Sequence, residues 1–231
     1  MLSVTPLSAT VTDACFCHWP VEADALSRSL PDWLAVETAD GDAWVTALAH
    51  TVSGVESFGV ELVGPAHAVN VRTYVRGPNG QRGVRFLALF TDDAFATAAA
   101  APTLRLPYRD GVLTHETSGG EFRSRRTLDV DGRRALDLRY APSDGEATTA
   151  PPDSLASFLV ERQRYFTTDP FGTRLVGSVG HDPWPLRTVD ADVSGSLLRT
   201  LGLPNPAGDP LFHYSPGTEF ALAPPRPLWL D

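Results

Sequence analysis

Two stretches of the chain are mainly apolar and rich in strand-forming residues, with single polar positions interspersed. "AWVTALAHTV" (43–52) is one. "AVNVRTYVRGPNGQRGVRFLALF" (68–90) is the other, and its Asn79–Gly80 breaks it into two strands of a hairpin with a turn that tolerates positive φ. "EFRSRRTLDVDGRRALDLRYAP" (121–142) repeats the design around Asp131–Gly132. "TRLVGSVGHD" (173–182), "LRTVDADV" (186–193) and "EFALAP" (219–224) read as further strands.

Helical spacing is confined to short segments. Val21, Ala25, Leu26 and Leu30 share one face of a stretch begun by Pro20 and ended by Pro31. "DDAFATAAAA" (92–101) has helical composition up to Pro102, and "SGSLLRTLG" (194–202) is a short helix. Asp153 is expected to cap a helix over "SLASFLVERQRYF" (154–166), with Leu155, Phe158, Leu159 and Arg162 along one side. "SDGEATTAPPD" (143–153) is linker-like, but too few strands follow it for an independent core, so one domain spanning residues 1–231 is expected. No internal repeat is visible. The pattern predicts an α+β fold: a large, mostly antiparallel sheet or barrel with short flanking helices.

Composition then removes several chemistries. All 19 basic residues are arginine, against 28 acids, for a net charge of −9. Without lysine there is no Schiff base, no pyridoxal phosphate linkage and no P-loop lysine. The acidic balance disfavours nucleic acid. No apolar run approaches a membrane span, the first residues lack the basic start and apolar core of a secretory leader, and two cysteines make no disulfide scaffold. A cytoplasmic protein with no membrane or nucleic-acid partner is expected.

The most conspicuous string is Cys15–Phe16–Cys17–His18. A structural zinc site needs four ligands, and no second cysteine pair completes one. In an extended chain Cys15 and Cys17 share one face while Phe16 and His18 share the other, so a buried strand explains the motif and no metal or other cofactor is expected. No nucleophile elbow, phosphate loop or EF-hand loop is present.

In "NVRTYVR" (70–76) Asn70, Arg72, Tyr74 and Arg76 alternate against Val71, Thr73 and Val75. The polar face is either solvated or the lining of a cavity. Inside a closed barrel, Arg72 would grip a carboxylate bidentately. Arg105, Tyr108, Arg123, Arg125 and Arg126 offer further donors. In "GHDPWPLR" (180–187) two prolines hold Trp184 extended, either as a core plug or beside a functional His181; "LFHYSPG" (211–217) supplies His213. Glu161 is expected to face Tyr165's side of its helix or solvent.

"HWPV" (18–21), "DGDAWV" (40–45), "NVRTYV" (70–75), "LPY" (106–108), "SRR" (124–126), "FLVERQRYF" (158–166), "HDPWPL" (181–186) and "LFHYSPGTEF" (211–220) together resemble, in order and over nearly the whole chain, the YqjF-like family, domain of unknown function 2071. The resemblance implies a fold similar to acetoacetate decarboxylases, with a cone-like, partly closed β-barrel around an internal cavity. Relatives often carry carboxylates where this chain has Ala68 and Phe90, which implies a more apolar interior here. The lysine on which decarboxylase chemistry depends is missing. The resemblance therefore implies a small-molecule-binding protein for a carboxylate or carbonyl compound, with Arg72, Asn70 and Tyr74 as polar contacts, Arg125 as a further one, and Trp19 and Trp184 as apolar wall. The alternative is an enzyme acting on a carbonyl or ester compound, with His18, His181 or His213 as acid or base and Arg72 as oxyanion stabiliser. A third reading is an interaction module using its arginine-bearing strands.

Overall fold

The computed structural model describes residues 7–57, 60–63, 65–93, 98, 101–119 and 123–230. The first half runs β1 (Leu7–Val21), α1 (Ala23–Ser27), β2 (Ala35–Val36), β3 (Thr38–Ala39), β4 (Asp42–Ser57), β5 (Val60–Val63), β6 (Ala66–Arg76) and β7 (Arg82–Thr91). The second half runs β8 (Val112–Thr117), β9 (Ser124–Val130), β10 (Arg133–Pro142), α2 (Leu155–Val160), β11 (Arg164–Thr168), β12 (Arg174–His181), β13 (Val189–Ser194), α3 (Leu197–Thr200) and β14 (Leu211–Pro227).

Seven strands close on themselves in the order β6-β7-β11-β12-β14-β1-β4, and β4 pairs back to β6. Closure removes the free edges that an open sheet would expose. Among the described residues of the barrel, only β7 and β11 run parallel. A second, antiparallel sheet of order β13-β10-β9-β8 covers one flank. Its hairpin turns where the sequence indicates, with Asp131 and Gly132 at φ 51° and 71°; the β6–β7 turn likewise puts Gly80 at φ 73°.

Strand alternation divides β1 between two cores. Cys15, Cys17 and Trp19 point outward into the layer shared with Leu128, Leu138 and Tyr140 of the covering sheet. Phe16 points into the barrel, with Trp44, Tyr74, Tyr165 and Trp184. Each large side chain buried this fully adds about 1.5–3 kcal/mol of transfer free energy. Arg126 crosses between the layers and is 1% exposed. It donates to Asp13 Oδ2 at 2.6 Å, to the Tyr140 hydroxyl at 2.8 Å and to the His50 carbonyl at 3.1 Å. Asp13 sits in a bulge of β1, at φ 49°.

Three local expectations are corrected. Pro20 does not open a helix: β1 continues to Val21, and only the five residues of α1 are helical. Pairing with β14 ends at His18, and the Pro20 carbonyl accepts from Ala207 N–H, so the proline's missing donor leaves no ladder bond broken. The helix at 154–166 is really α2, capped by Ser154 rather than Asp153, with Ser154 Oγ accepting from Ser157 N–H at 3.1 Å. The chain turns at Glu161, and Arg164–Thr168 becomes a strand because β7 and β12 flank it. The linker-like 143–153 is tied down: Thr148 and Leu186 exchange two backbone bonds of 2.8 Å. The helix expected at 92–101 lies largely outside the described residues. Among the described residues no helix is long and apolar enough to cross a membrane.

Candidate functional site

The polar face of β6 turns inward. Arg72 is 6% exposed and Tyr74 is fully buried, while Arg76, at the strand's end, is exposed. Arg72 pairs across the sheet with Thr46, which shares its face of β4 with Trp44 and Leu48. α2 fills one part of the barrel interior with Phe158 and Leu159. The carbonyl of Leu159, in the last turn of α2, accepts from the Tyr74 hydroxyl at 2.6 Å and from Arg72 Nη2 at 3.3 Å. A helix C-terminus leaves carbonyls without intrahelical partners and carries partial negative charge, so a phenol and a guanidinium suit it.

The hydrogen bonds behind Tyr74 form a chain whose direction is fixed by its end. Because the phenol donates to Leu159, its oxygen must accept from Thr46 Oγ1, 2.6 Å away. Thr46 then accepts from His18 Nδ1 at 2.8 Å, and His18 Nε2 accepts from His213 Nδ1 at 3.0 Å. His18 is therefore the neutral Nδ1–H tautomer. Burial holds it far below the ordinary histidine range, helped by His213 and Arg72. Burial likewise pushes the Tyr74 phenol up. Both ring nitrogens of His18 are engaged and the chain ends on a carbonyl, which donates nothing. Such an array orients Tyr74 and Arg72; it does not carry a proton through.

Arg72 has no carboxylate at ion-pair distance among the described residues, and its Nε makes no hydrogen bond. Its guanidinium carbon lies 5.6 Å from the centre of the Phe16 ring. Trp184 stands nearly perpendicular to the same ring, with ring centres 5.1 Å apart, and Trp184 Nε1 is also without a partner. On β6, Asn70 shares the Arg72 face, and its Oδ1 is a buried acceptor without a donor. The arrangement offers a fixed cation, one donor and one acceptor among aromatic walls, which suits a small acid with a further polar group.

The other expected residues disperse. His181 packs between Trp184 and Phe220, with ring centres at 5.6 and 5.1 Å, and its Nδ1 lies 2.7 Å from the Asp182 carbonyl. Glu161 accepts from Trp184 N–H at 2.9 Å instead of facing Tyr165 or solvent. Trp19 points away from Arg72, beside a surface cleft of about 280 Å³ formed with α3 and the covering sheet. Arg125 is held bidentately by Asp137, at 2.9 and 2.6 Å, on the covering sheet. Phe90 faces the layer between the sheets, so this position does not make the barrel interior more apolar.

The profile of the DUF2071 family, an uncharacterised conserved protein, matches residues 8–219. Uncharacterized protein YqjF of Bacillus subtilis (strain 168) is 30% identical over 213 residues, covering 89% of this chain and 86% of that one.

The chain belongs to the DUF2071 family.

Solved structures place that family's barrel among acetoacetate decarboxylase-like folds. The enduracididine biosynthesis enzyme MppR, complexed with pyruvate, superposes with a TM-score of 0.74 at 19% identity, over 99% of this chain and 92% of that one. Acetoacetate decarboxylase from Legionella pneumophila gives 0.64 at 11% identity, over 98% and 89%. Two parts of this DUF2071 site escape sequence reading. Thr46 was visible only as one more polar position in "AWVTALAH", and the Leu159 carbonyl is a backbone atom with no side-chain signature.

Proposed function

We propose that this DUF2071 chain binds a small organic acid inside its barrel, with Arg72 holding the carboxylate, Asn70 and Trp184 setting its orientation, and Tyr74 fixing the carbonyl that positions Arg72. One observation carries the reading: a guanidinium nine-tenths buried, without a carboxylate partner among the described residues and with an unused Nε. Burying a charge is costly unless an opposite charge or several hydrogen bonds compensate it. The Leu159 carbonyl supplies only part of that compensation. MppR, which shares the fold, has been solved with pyruvate bound, and supports a 2-oxo acid as the first compound to try. The absence of lysine removes a Schiff base from anything that follows binding.

A second reading, acid–base action on a carbonyl or ester compound, is favoured by His213, whose Nε2 is the one nitrogen of the histidine pair outside the chain described above. It predicts slow turnover that disappears in His213→Ala while binding persists.

The test of binding is a titration with pyruvate followed by calorimetry. Wild type should saturate. Arg72→Gln keeps a donor for the Leu159 carbonyl but loses the charge, and should weaken binding at least about tenfold. Equal affinities in the two proteins would overturn the assignment.

A further inference from the structure

Glu37 lies between β2 and β3, held by its own N–H to the Tyr74 carbonyl. Its carboxylate is 4% exposed and receives three guanidinium groups: Arg82 Nε at 2.5 Å, Arg76 Nη2 at 2.9 Å and Arg162 Nη2 at 3.3 Å. Arg76 and Arg82 face each other across the end of the β6–β7 hairpin, and their side chains are half exposed. Arg162, on the turn between α2 and β11, is nine-tenths buried, and its Nε has no partner.

One carboxylate balances one of these cations. A clamp serving only to pin Glu37 would be complete with a single arginine, and each further guanidinium repels the first at close range. Burial lowers Arg162 to about 10; Glu37 opposes this, while Arg82 and Arg72 add repulsion. The cluster is continuous with the barrel site. The Arg162 guanidinium carbon lies 4.4 Å from the Phe158 ring centre and 5.4 Å from that of Tyr74, the residue whose hydroxyl shares the Leu159 carbonyl with Arg72. Arg72 and Arg162 thus flank one tyrosine, and Arg82 and Arg76 continue the positive track to the half-exposed surface.

Resting on the reading of Arg72 as a carboxylate clamp, we infer that Arg162, Arg82 and Arg76 form a second anion subsite, and that the ligand carries two acidic groups: a carboxylate on Arg72 and a second carboxylate or a phosphate on Arg162. A dicarboxylate would reduce the excess over the four guanidinium groups and Glu37 from three positive charges to one, and a carboxylate with a phosphate would reduce it further.

The test compares pyruvate, 2-oxoglutarate and 3-phosphoglycerate by calorimetry at low ionic strength. Wild type should bind one of the two-acid compounds at least about tenfold more tightly than pyruvate, and which one says whether the second group is carboxylate or phosphate. Arg82→Gln, a half-exposed change compatible with folding, should erase that preference and leave pyruvate affinity intact. Arg162→Gln should likewise erase it. Three equal affinities in wild type, with pyruvate still lost in Arg72→Gln, would overturn the subsite and leave the clamp standing. Two-acid compounds that bind wild type and Arg72→Gln alike, yet weaken in Arg82→Gln, would overturn the clamp and the joined site while leaving a separate anion site at Glu37. No binding by any compound would overturn both readings.

Discussion

Tyr74 donates its phenolic proton to the carbonyl of Leu159 at 2.6 Å, which joins the middle of β6 to the final turn of α2. The two residues are 85 positions apart, and the bond holds the helix inside the barrel while keeping Arg72 against the same carbonyl. Replacing Tyr74 by Phe preserves the ring and strands both the Leu159 acceptor and the Thr46 hydroxyl. Leaving buried polar groups unsatisfied costs about 1–3 kcal/mol each, partly relieved by Arg72. Urea denaturation should show a lower midpoint for Tyr74→Phe with an unchanged slope, and a midpoint equal to wild type would contradict this role.

Arg126 is a second such tie, between the barrel and the covering sheet. Arg126→Gln removes the charge facing Asp13, whose side chain keeps 26% exposure. Loss of one member of a buried pair costs about 3–5 kcal/mol, and water at Asp13 puts this case at the low end. The expected thermal midpoint falls by several degrees. By contrast, Arg125→Gln removes the solvent-facing partner of Asp137 on the covering sheet and should leave the thermal midpoint close to that of wild type. A reversed ranking in matched thermal melts would refute the distinction.

The histidines set the acid limit of the fold. His18, His50, His67, His115 and His213 are all lowered from the ordinary 6.5 by burial, with His50 and His115 near 4. Between those values and 6.5 the unfolded chain binds protons that the folded chain refuses. Stability is therefore complete above about pH 6.5 and falls as pH drops toward 4, by up to about 1.4 kcal/mol per pH unit for each fully shifted histidine. Unfolding free energies measured at pH 7.5, 6.0 and 5.0 should decline steeply, and His50→Gln should flatten the decline. A constant value over that range would be incompatible with five histidines held neutral in the fold, His18 and His50 buried and His67, His115 and His213 partly so.

Cys15 and Cys17 are both fully buried, and burial raises both thiols. A thiolate is the reactive form, so neither should react with Ellman's reagent in the native protein, and both should react at once in guanidinium chloride. A fast native thiol would contradict the buried placement of both cysteines.

β6 shows where sequence reasoning stops. Alternation in "NVRTYV" identifies two faces, and the valine face is plainly buried. Whether Arg72 and Tyr74 meet water or an interior depends on β4 pairing back to β6 and on α2 entering the barrel; both are set by residues far away in the chain. The same holds at the end of α2. Leu155, Phe158, Leu159 and Arg162 keep helical spacing, yet the chain leaves the helix at Glu161, since Tyr165 and Phe166 gain more as strand residues between β7 and β12 than as further helix. Cys15–His18, in contrast, was legible as a strand with two destinations, because a period of two needs no distant partner. Glu37 with its three arginines left little local trace: Arg76 and Arg82 share one hairpin, but Glu37 and Arg162 come from two other, distant segments.

The seam of the barrel has a consequence for biosynthesis. β1 lies between β4 and β14, with Leu7 opposite Leu222 and His18 opposite Leu211. As the polypeptide leaves the ribosome, β1 and β4 can pair early, but the other edge of β1 stays open until β14 has emerged. Throughout that interval the nascent sheet presents unpaired amides and carbonyls beside Phe16 and Cys17. The barrel therefore cannot close before β14 is made, and anything that shields this edge in the meantime keeps it from pairing with another chain.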